Sequence, residues 1–391
     1  MFNRNATEKL RDLARQFRVV GVIGPRQSGK STLATLAFPD KPVVKLESPD
    51  VLEYAVRDPR GLLSTYREGA IIDEAQRAPE LFSYLQGDVD DDRRPGRFIL
   101  TGSQNFLLME RIAQSLAGRI AVMTLLPLAW DEIPEDRTAA RSLDDVLFTG
   151  GYPEIWWRGS QPGDWHNSYI ATYLERDVRN LKQVHDLGAF QRFMKLVAAS
   201  VGQPVRASHL GMEAGVTGPT AQAWLSVLEA SFVVTLLRPH FKNFRKRLVK
   251  TPKVYFTDVG LAARLLGIQD AAQLSVHPAR GFLFENWVFA ELLKARFNAG
   301  LDNNLWFWGV YSGDEVDLIV DQGQHLMSIE CKSGATVQDA FFAGLRRWRA
   351  LAGEAAGPSF VVYGGAEPQT RSDLEVIPWR RVGRLAGRVV A

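Results

Sequence analysis

The chain has 391 residues, 46% of them hydrophobic and 23% charged, with a formal net charge of +3 and one cysteine, Cys331. That length calls for about two or three domains, and the composition excludes a disordered or disulfide-built chain. A charge so close to balance does not argue for nucleic acid by itself and leaves that role to local basic clusters. The opening MFNRNATEKLRDLARQF scatters its charges and has no apolar leader core. No later stretch approaches the roughly 18 uninterrupted apolar residues of a membrane span, so the expectation is a cytoplasmic protein with no membrane partner.

From residue 18 to about 126, short apolar runs alternate with helical patterns: RVVGVI, KPVVKL, AIIDEA, RFILTGS and RIAVMTLL. Strands alternating with helices predict a parallel sheet built from βαβ units. Directly after the first run comes GPRQSGKSTL, in which Gly24, Gly29, Lys30 and Ser31 meet the pattern G-x-x-x-x-G-K-[ST]. With a strand before it and a helix after it, this is a P-loop in its required context. Its residues Gly24, Pro25, Arg26, Gln27, Ser28, Gly29, Lys30, Ser31 and Thr32 are the expected cradle for ATP. Lys30 would reach the β- and γ-phosphates and the Ser31 hydroxyl would ligate Mg²⁺.

The run AIIDEAQ places Asp73 and Glu74 at the C-terminal end of a strand, where an open α/β sheet assembles its ligand site. Asp73 is expected to hold Mg²⁺, usually through water, and Glu74 to orient and deprotonate the attacking water. After the next strand Ser103 is placed to sense the γ-phosphate or lytic water, or else to cap the helix that follows. Arg119, in SLAGRI, is a candidate finger for a neighbouring subunit's nucleotide; the alternative is a solvated surface charge.

LLPLAWDEIPED marks a boundary, after which a mostly helical region runs to about residue 190. Its Trp156, Trp157, Trp165, Tyr169 and Tyr173 read as core. Three helical segments then precede the strand-like runs SFVVTLL and KVYFT, the element order of a winged helix-turn-helix. Between those strands RPHFKNFRKRLVKTPK carries Arg238, Lys242, Arg245, Lys246, Arg247, Lys250 and Lys253 without an acidic residue. It reads as a basic hairpin tip for DNA phosphates, with Phe241 and Phe244 available to stack on bases. The third helix is poor in basic residues, so the alternative is a wing that packs on the ATPase with a solvated basic loop. LGIQDAAQLSVHPARG reads as a linker.

Beyond it the pattern predicts one helix, strands at EVDLIV and LMSIECK, another helix and the strand SFVVYG. Asp317 lies on the first of these strands; Glu330 and Lys332, two apart on the next, share a face. Two carboxylates beside a lysine are the parts needed to hold Mg²⁺ and activate water for phosphodiester cleavage. A salt-bridged acidic edge is the bland alternative. The six histidines show no metal-ligand spacing.

Together GPRQSGKSTL, IIDEAQRAPEL, ILTGSQNF, GGYPE, YLERDV, PKVYFTDVGL, FENWVFAEL and EVDLIV…IECKSG resemble the prokaryotic AAA+ ATPases that carry a C-terminal domain of unknown function with a restriction-endonuclease-like motif. The resemblance covers nearly the whole chain and implies ATP binding and hydrolysis. It likens Asp317, Glu330 and Lys332 to a PD-(D/E)xK arrangement, with Glu285 as the helix glutamate such domains often add, so that Glu285, Asp317 and Glu330 would share a metal. It also implies a homo-oligomer, with a hexameric ring as its form; a helical-lid arginine of the second-sensor type cannot be identified.

The expected fold class is α/β: a P-loop AAA+ parallel-sheet domain over 1–130, a helical region over 131–190, a winged-helix-like domain over 191–268 and a nuclease-like α/β domain over 280–391. Two functions compete. One is an ATPase that remodels or processes DNA, with Mg²⁺-dependent nuclease activity. The other is a nucleotide-gated switch or protein-remodelling ATPase with a non-catalytic nuclease-like module. A DNA-binding regulator with slow hydrolysis is a third.

Overall fold

The computed structural model describes residues 2–103, 115–174, 186–240, 249–310 and 313–390, without the side chains of 173–174. The chain divides into two compact units, one of residues 1–128, 230–232 and 297–301, the other of 129–229, 233–296 and 302–391.

In the first unit five strands, β1 (Val19–Ile23), β2 (Val43–Lys45), β3 (Ala70–Asp73), β4 (Phe98–Gly102) and β5 (Ile120–Thr124), form one sheet in the order β2-β3-β4-β1-β5. Every pairing in it is parallel. These are the five apolar runs read from the sequence. Alternate residues of each strand enter opposite layers: Val19, Ile23, Ile72, Phe98 and Leu100 pack with Leu62, Leu81, Phe82 and Leu85. Val20, Val22, Ile71 and Ile99 pack with Leu10, Leu33 and Ala34. A strand covered on both faces needs apolar residues at consecutive positions, which is why VVGVI and AII read as continuous runs. Each large aliphatic side chain buried this way stabilises by about 1.5–3 kcal/mol.

The second unit begins with short helices, continues with helices Leu187–Ala199, Ala207–Ala214 and Gly218–Ala230, and then has the antiparallel pair β6 (Val234–Leu237) and β7 (Lys253–Phe256). The 19-residue helix Arg280–Asn298 precedes a six-stranded sheet. That sheet contains β8 (Leu305–Gly309), β9 (Glu315–Asp321), β10 (Leu326–Lys332), β11 (Ala356–Tyr363), β12 (Gln369–Thr370) and β13 (Glu375–Pro378) in the order β12-β13-β11-β10-β9-β8. Its core joins Val316, Ile319 and Val361 to Phe342, Leu345 and Trp348 of the covering helices. Strands β8, β12 and β13 are absent from the sequence reading. LWFWG is short and wholly apolar, a pattern that cannot separate a strand from a buried helical turn.

The segment read as a linker is structured. Asp270 caps helix Ala271–Ser275 by accepting from the Gln273 amide at 2.7 Å, and Ile268 and Leu274 are fully buried. Two apolar anchors in a polar stretch are too few to register as a periodic pattern. Two of the motifs that carry the family resemblance, GGYPE and TDVGL, meet in this unit. Asp258 caps helix Val259–Leu265 through the Leu261 amide at 2.9 Å and accepts the Gly151 amide at 2.7 Å. Gly150 has φ 70° and lies so close that an added Cβ would stand 2.4 Å from Asp258 Oδ1. Of the helical-region aromatics, Trp156 and Tyr169 are core, whereas Trp157 is half exposed.

Candidate functional site

β1, between β4 and β5 in the first sheet, ends in the P-loop. Gly24, with φ 150°, runs so close to the strand-β5 exit that a Cβ would lie 2.1 Å from the Leu125 carbonyl oxygen. Gln27 and Gly29 take φ 59° and 92°, folding the loop back onto the start of helix Lys30–Ala37. Pro25 and Ser28 are buried, Arg26 is half-buried, and Gln27 and Thr32 are exposed. Lys30 is buried and donates to the carbonyls of Gly24 at 3.1 Å and Pro25 at 2.7 Å. Burial pulls its pKa down to about 8, against the attraction of Glu74 and Asp73. The buried Ser28 hydroxyl has no hydrogen-bond partner among the described residues. A desolvated ammonium and an unpaired hydroxyl at a helix N-terminus are the groups a phosphate would satisfy.

The opposite wall holds oxygen ligands. Ser31 Oγ donates to Asp73 Oδ1 at 2.5 Å, and the Thr101 hydroxyl donates to the same oxygen. A hydroxyl and a carboxylate side by side suit a hard cation such as Mg²⁺. Glu74 follows at φ 55°, and its Oε2 accepts from Ser103 Oγ at 3.0 Å and from the Gln76 amide. The sequence-predicted residues Lys30, Ser31, Asp73, Glu74 and Ser103 therefore converge at the C-terminal end of the sheet. A bound nucleoside triphosphate with Mg²⁺ would supply the phosphoryl group; Lys30 would neutralise its oxygens and Glu74 would take the proton of the attacking water.

Arg119 immediately precedes β5, with Nε 2.8 Å and Nη2 2.6 Å from the two oxygens of Asp90. A finger role would require it to give up that bidentate pair. Sequence reasoning missed Arg4, which braces the loop by donating to Ser28 O at 2.7 Å and Leu126 O at 2.8 Å. No local signal marks an arginine that acts across 24 residues. It also missed Thr101 and Gln76, although Gln76 stands in the quoted AIIDEAQ.

The second unit gathers a separate cluster. Asp317 on β9 and Glu330 on β10 lie next to the Leu318–Ile329 pair of the antiparallel ladder. Both are buried, and Asp317 Oδ2 accepts the Cys331 amide at 2.7 Å. Lys332 Nζ is 2.6 Å from Glu330 Oε1, while Glu330 Oε2 is buried without a hydrogen-bond partner among the described residues. Burial, with the Asp317 charge added, pushes the Glu330 carboxyl up to about 8. Burial works against the charged form of Lys332, but Asp317 and Glu330 outweigh it and raise the pKa.

Glu285 projects from helix Arg280–Asn298 into the same cluster, its carboxyl pushed up to about 7 by burial and by Asp317. Its Oε1 accepts from Lys253 Nζ at 3.1 Å and from the Tyr255 hydroxyl. Lys253 also bonds Glu315, and ligand oxygens of Glu285, Glu315 and Asp317 all lie within 4.8 Å of one another. Oxygen-only donors fit Mg²⁺ or Mn²⁺. Glu315 was legible in principle, since it lies two residues before Asp317 on one strand face.

Lys253 corrects the sequence reading. It is not part of an exposed basic tip but is 2% exposed and paired with carboxylates. Of the proposed phosphate contacts, Lys250 is exposed, while Lys242, Arg245, Lys246 and Arg247 lie outside the described residues, as do Phe241 and Phe244. No helix among the described residues is long and apolar enough to cross a membrane.

A family model described as an AAA domain matches residues 16–134. Two described as domains of unknown function, DUF8612 and DUF4143, match residues 140–272 and 280–382. The uncharacterized proteins Mb2031c of Mycobacterium bovis and Rv2008c of Mycobacterium tuberculosis are each 31% identical over 336 residues, 85% of this chain and 74% of theirs. Among solved structures, the Walker-type ATPase PABY2304 of Pyrococcus abyssi is 17% identical with a TM-score of 0.47, over 68% of this chain and 96% of that one. With the P-loop, Asp73 and Glu74 assembled inside the matched AAA domain, the chain is a P-loop ATPase of the AAA type, and it belongs to one family with the two mycobacterial proteins.

Proposed function

We propose that this ATPase acts on DNA, using its nucleotide cycle to remodel a DNA substrate that the Asp317–Glu330–Lys332 cluster cleaves with Mg²⁺. The observation that carries the proposal is the buried, oxygen-rich cluster: Asp317 and Glu330 abreast on adjacent strands, Lys332 against Glu330, and an unpaired Glu330 oxygen. The Glu330 carboxyl, raised in pKa by burial, binds a proton until a metal replaces it, and a metal held there would lower the pKa of its bound water. Lys332 stands where an ammonium can stabilise the charge that develops on a phosphodiester. On this reading residues 191–268 form a winged-helix-like module and 280–391 a restriction-endonuclease-like one.

The test is ATP hydrolysis with and without single-stranded, duplex and branched DNA, with the same samples run on a gel. DNA-stimulated turnover lost in Lys30→Ala and Glu74→Gln, together with Mg²⁺-dependent cuts lost in Asp317→Ala, is the expected result. Turnover indifferent to DNA and no cutting would sink it. They would favour a nucleotide-gated switch with a non-catalytic module, a reading that gains support from the engagement of Glu285 and Glu315 by Lys253.

A further inference from the structure

The last basic residue of RPHFKNFRKRLVKTPK points away from any role on a surface. Lys253 is the first residue of β7, registered against Leu237 and bridged to Pro204. Its ammonium reaches Glu285 Oε1 at 3.1 Å and bonds Glu315, with the face of Phe307 5.4 Å away. Tyr255, two residues along the same strand, donates its hydroxyl to the same Glu285 oxygen. Glu285 is thus oriented by two side chains of β7, with no metal needed to hold it.

We propose that Lys253 is a built-in cation of the carboxylate cluster: its ammonium fills the space among Glu285, Glu315 and Asp317 and excludes a divalent ion from that trio. The size argument is direct. Ligand oxygens that lie within 4.8 Å of one another enclose room for one cation, and a lysine ammonium is a compact point charge with three donors. A divalent ion and an ammonium held by the same oxygens would repel each other strongly, the ammonium being 2% exposed. The charge count agrees. With Glu285, Glu315, Asp317 and Glu330 ionised against Lys253 and Lys332, the surplus is two negative charges, enough for a single divalent ion. The count of one rests on the metal reading of Asp317 and Glu330 given above; the exclusion by Lys253 does not.

The test counts Mn²⁺ bound to the nucleotide-free full chain, by the electron paramagnetic resonance of free ion. Glu315→Gln should leave the wild-type count unchanged, because Lys253 rather than a metal occupies that oxygen. Lys253→Met should add one ion, which Lys253→Met/Glu315→Gln loses again, and Lys253→Arg should add none. A wild-type count that falls in Glu315→Gln overturns the proposal, even if no Lys253 variant folds. So does a Lys253→Met chain that melts cooperatively and gains nothing. A wild-type count unchanged by Asp317→Asn, with the extra ion still gained in Lys253→Met, would overturn the metal reading above while supporting the exclusion.

Discussion

The P-loop and the carboxylate cluster each bury a lysine beside carboxylates, yet the two lysines are treated oppositely. Lys30 sits on backbone carbonyls, and burial takes its pKa down to about 8. Lys253 is just as buried, but Glu285 and Glu315 outweigh desolvation and raise its pKa. The difference teaches how a site declares the sign of the charge it takes. A buried ammonium short of negative charge marks a place for an anion, whereas carboxylates in excess of their ammoniums mark a place for a cation.

The comparison is broken most forcefully at the chemistry itself. Glu74→Gln, which on the proposed reading removes the general base, should lower ATP turnover by about 10²–10⁴-fold with nucleotide affinity largely retained, as steady-state kinetics and a binding titration would show. Equal loss of affinity and turnover would place Glu74 in binding instead. Next in size is Lys253→Met, which strands Glu285 and Glu315 without their cation and should cost about 3–5 kcal/mol in chelator, part of it recovered in Mn²⁺, measured by denaturant unfolding. Arg4→Ala unties the buried carbonyls of Ser28 in the P-loop and Leu126 beyond β5 and should cost about 2 kcal/mol, read the same way.

The pH dependences of the two sites are opposite in sign. Glu285 and Glu330 titrate in the fold at about 7 and about 8, above the 4.5 of a free glutamate. Between those limits the folded chain holds protons that the unfolded chain has lost, so stability in chelator should fall as pH rises from 4.5 through 8, by at most about 1.4 kcal/mol per unit for each group. Mn²⁺ should flatten that slope, since the carboxylates it needs are the deprotonated ones. For Lys30, folded at about 8 and ordinarily at 10.5, the unfolded chain holds more protons in between, so its contribution to stability rises with pH there. Nucleotide binding in that window should take up part of a proton, because the phosphates restore the ammonium. Calorimetry in buffers of different ionisation enthalpy reads the uptake, and none would mean that the phosphates do not meet Lys30.

Much of the ATPase unit was legible because its signals are local. The three inner strands, buried on both faces, and the two edge strands beside them read as five apolar runs, and Gly24, Gly29, Lys30 and Ser31 lie within one short stretch of chain. Asp73 and Glu74 could be placed beside them because a parallel sheet brings every strand's C-terminal end to one edge. The second unit was harder. Its Glu330 and Lys332 could be put on one face from the two-residue alternation, but Glu315, on the same face of its strand as Asp317, went unread, and β8 was hidden in a short aromatic run.

The sequence by itself determined the P-loop, the parallel sheet around it and the carboxylate–lysine strand pair, since each is written in spacings of a few residues that backbone geometry converts directly into a shared face or a shared edge. Only the tertiary structure decided that Arg4 clamps the phosphate loop and that Lys253 belongs to the acidic cluster rather than to a basic surface. A charge takes its meaning from what burial brings within a few ångströms of it, and the partners of Lys253 lie 32 and 62 residues away along the chain.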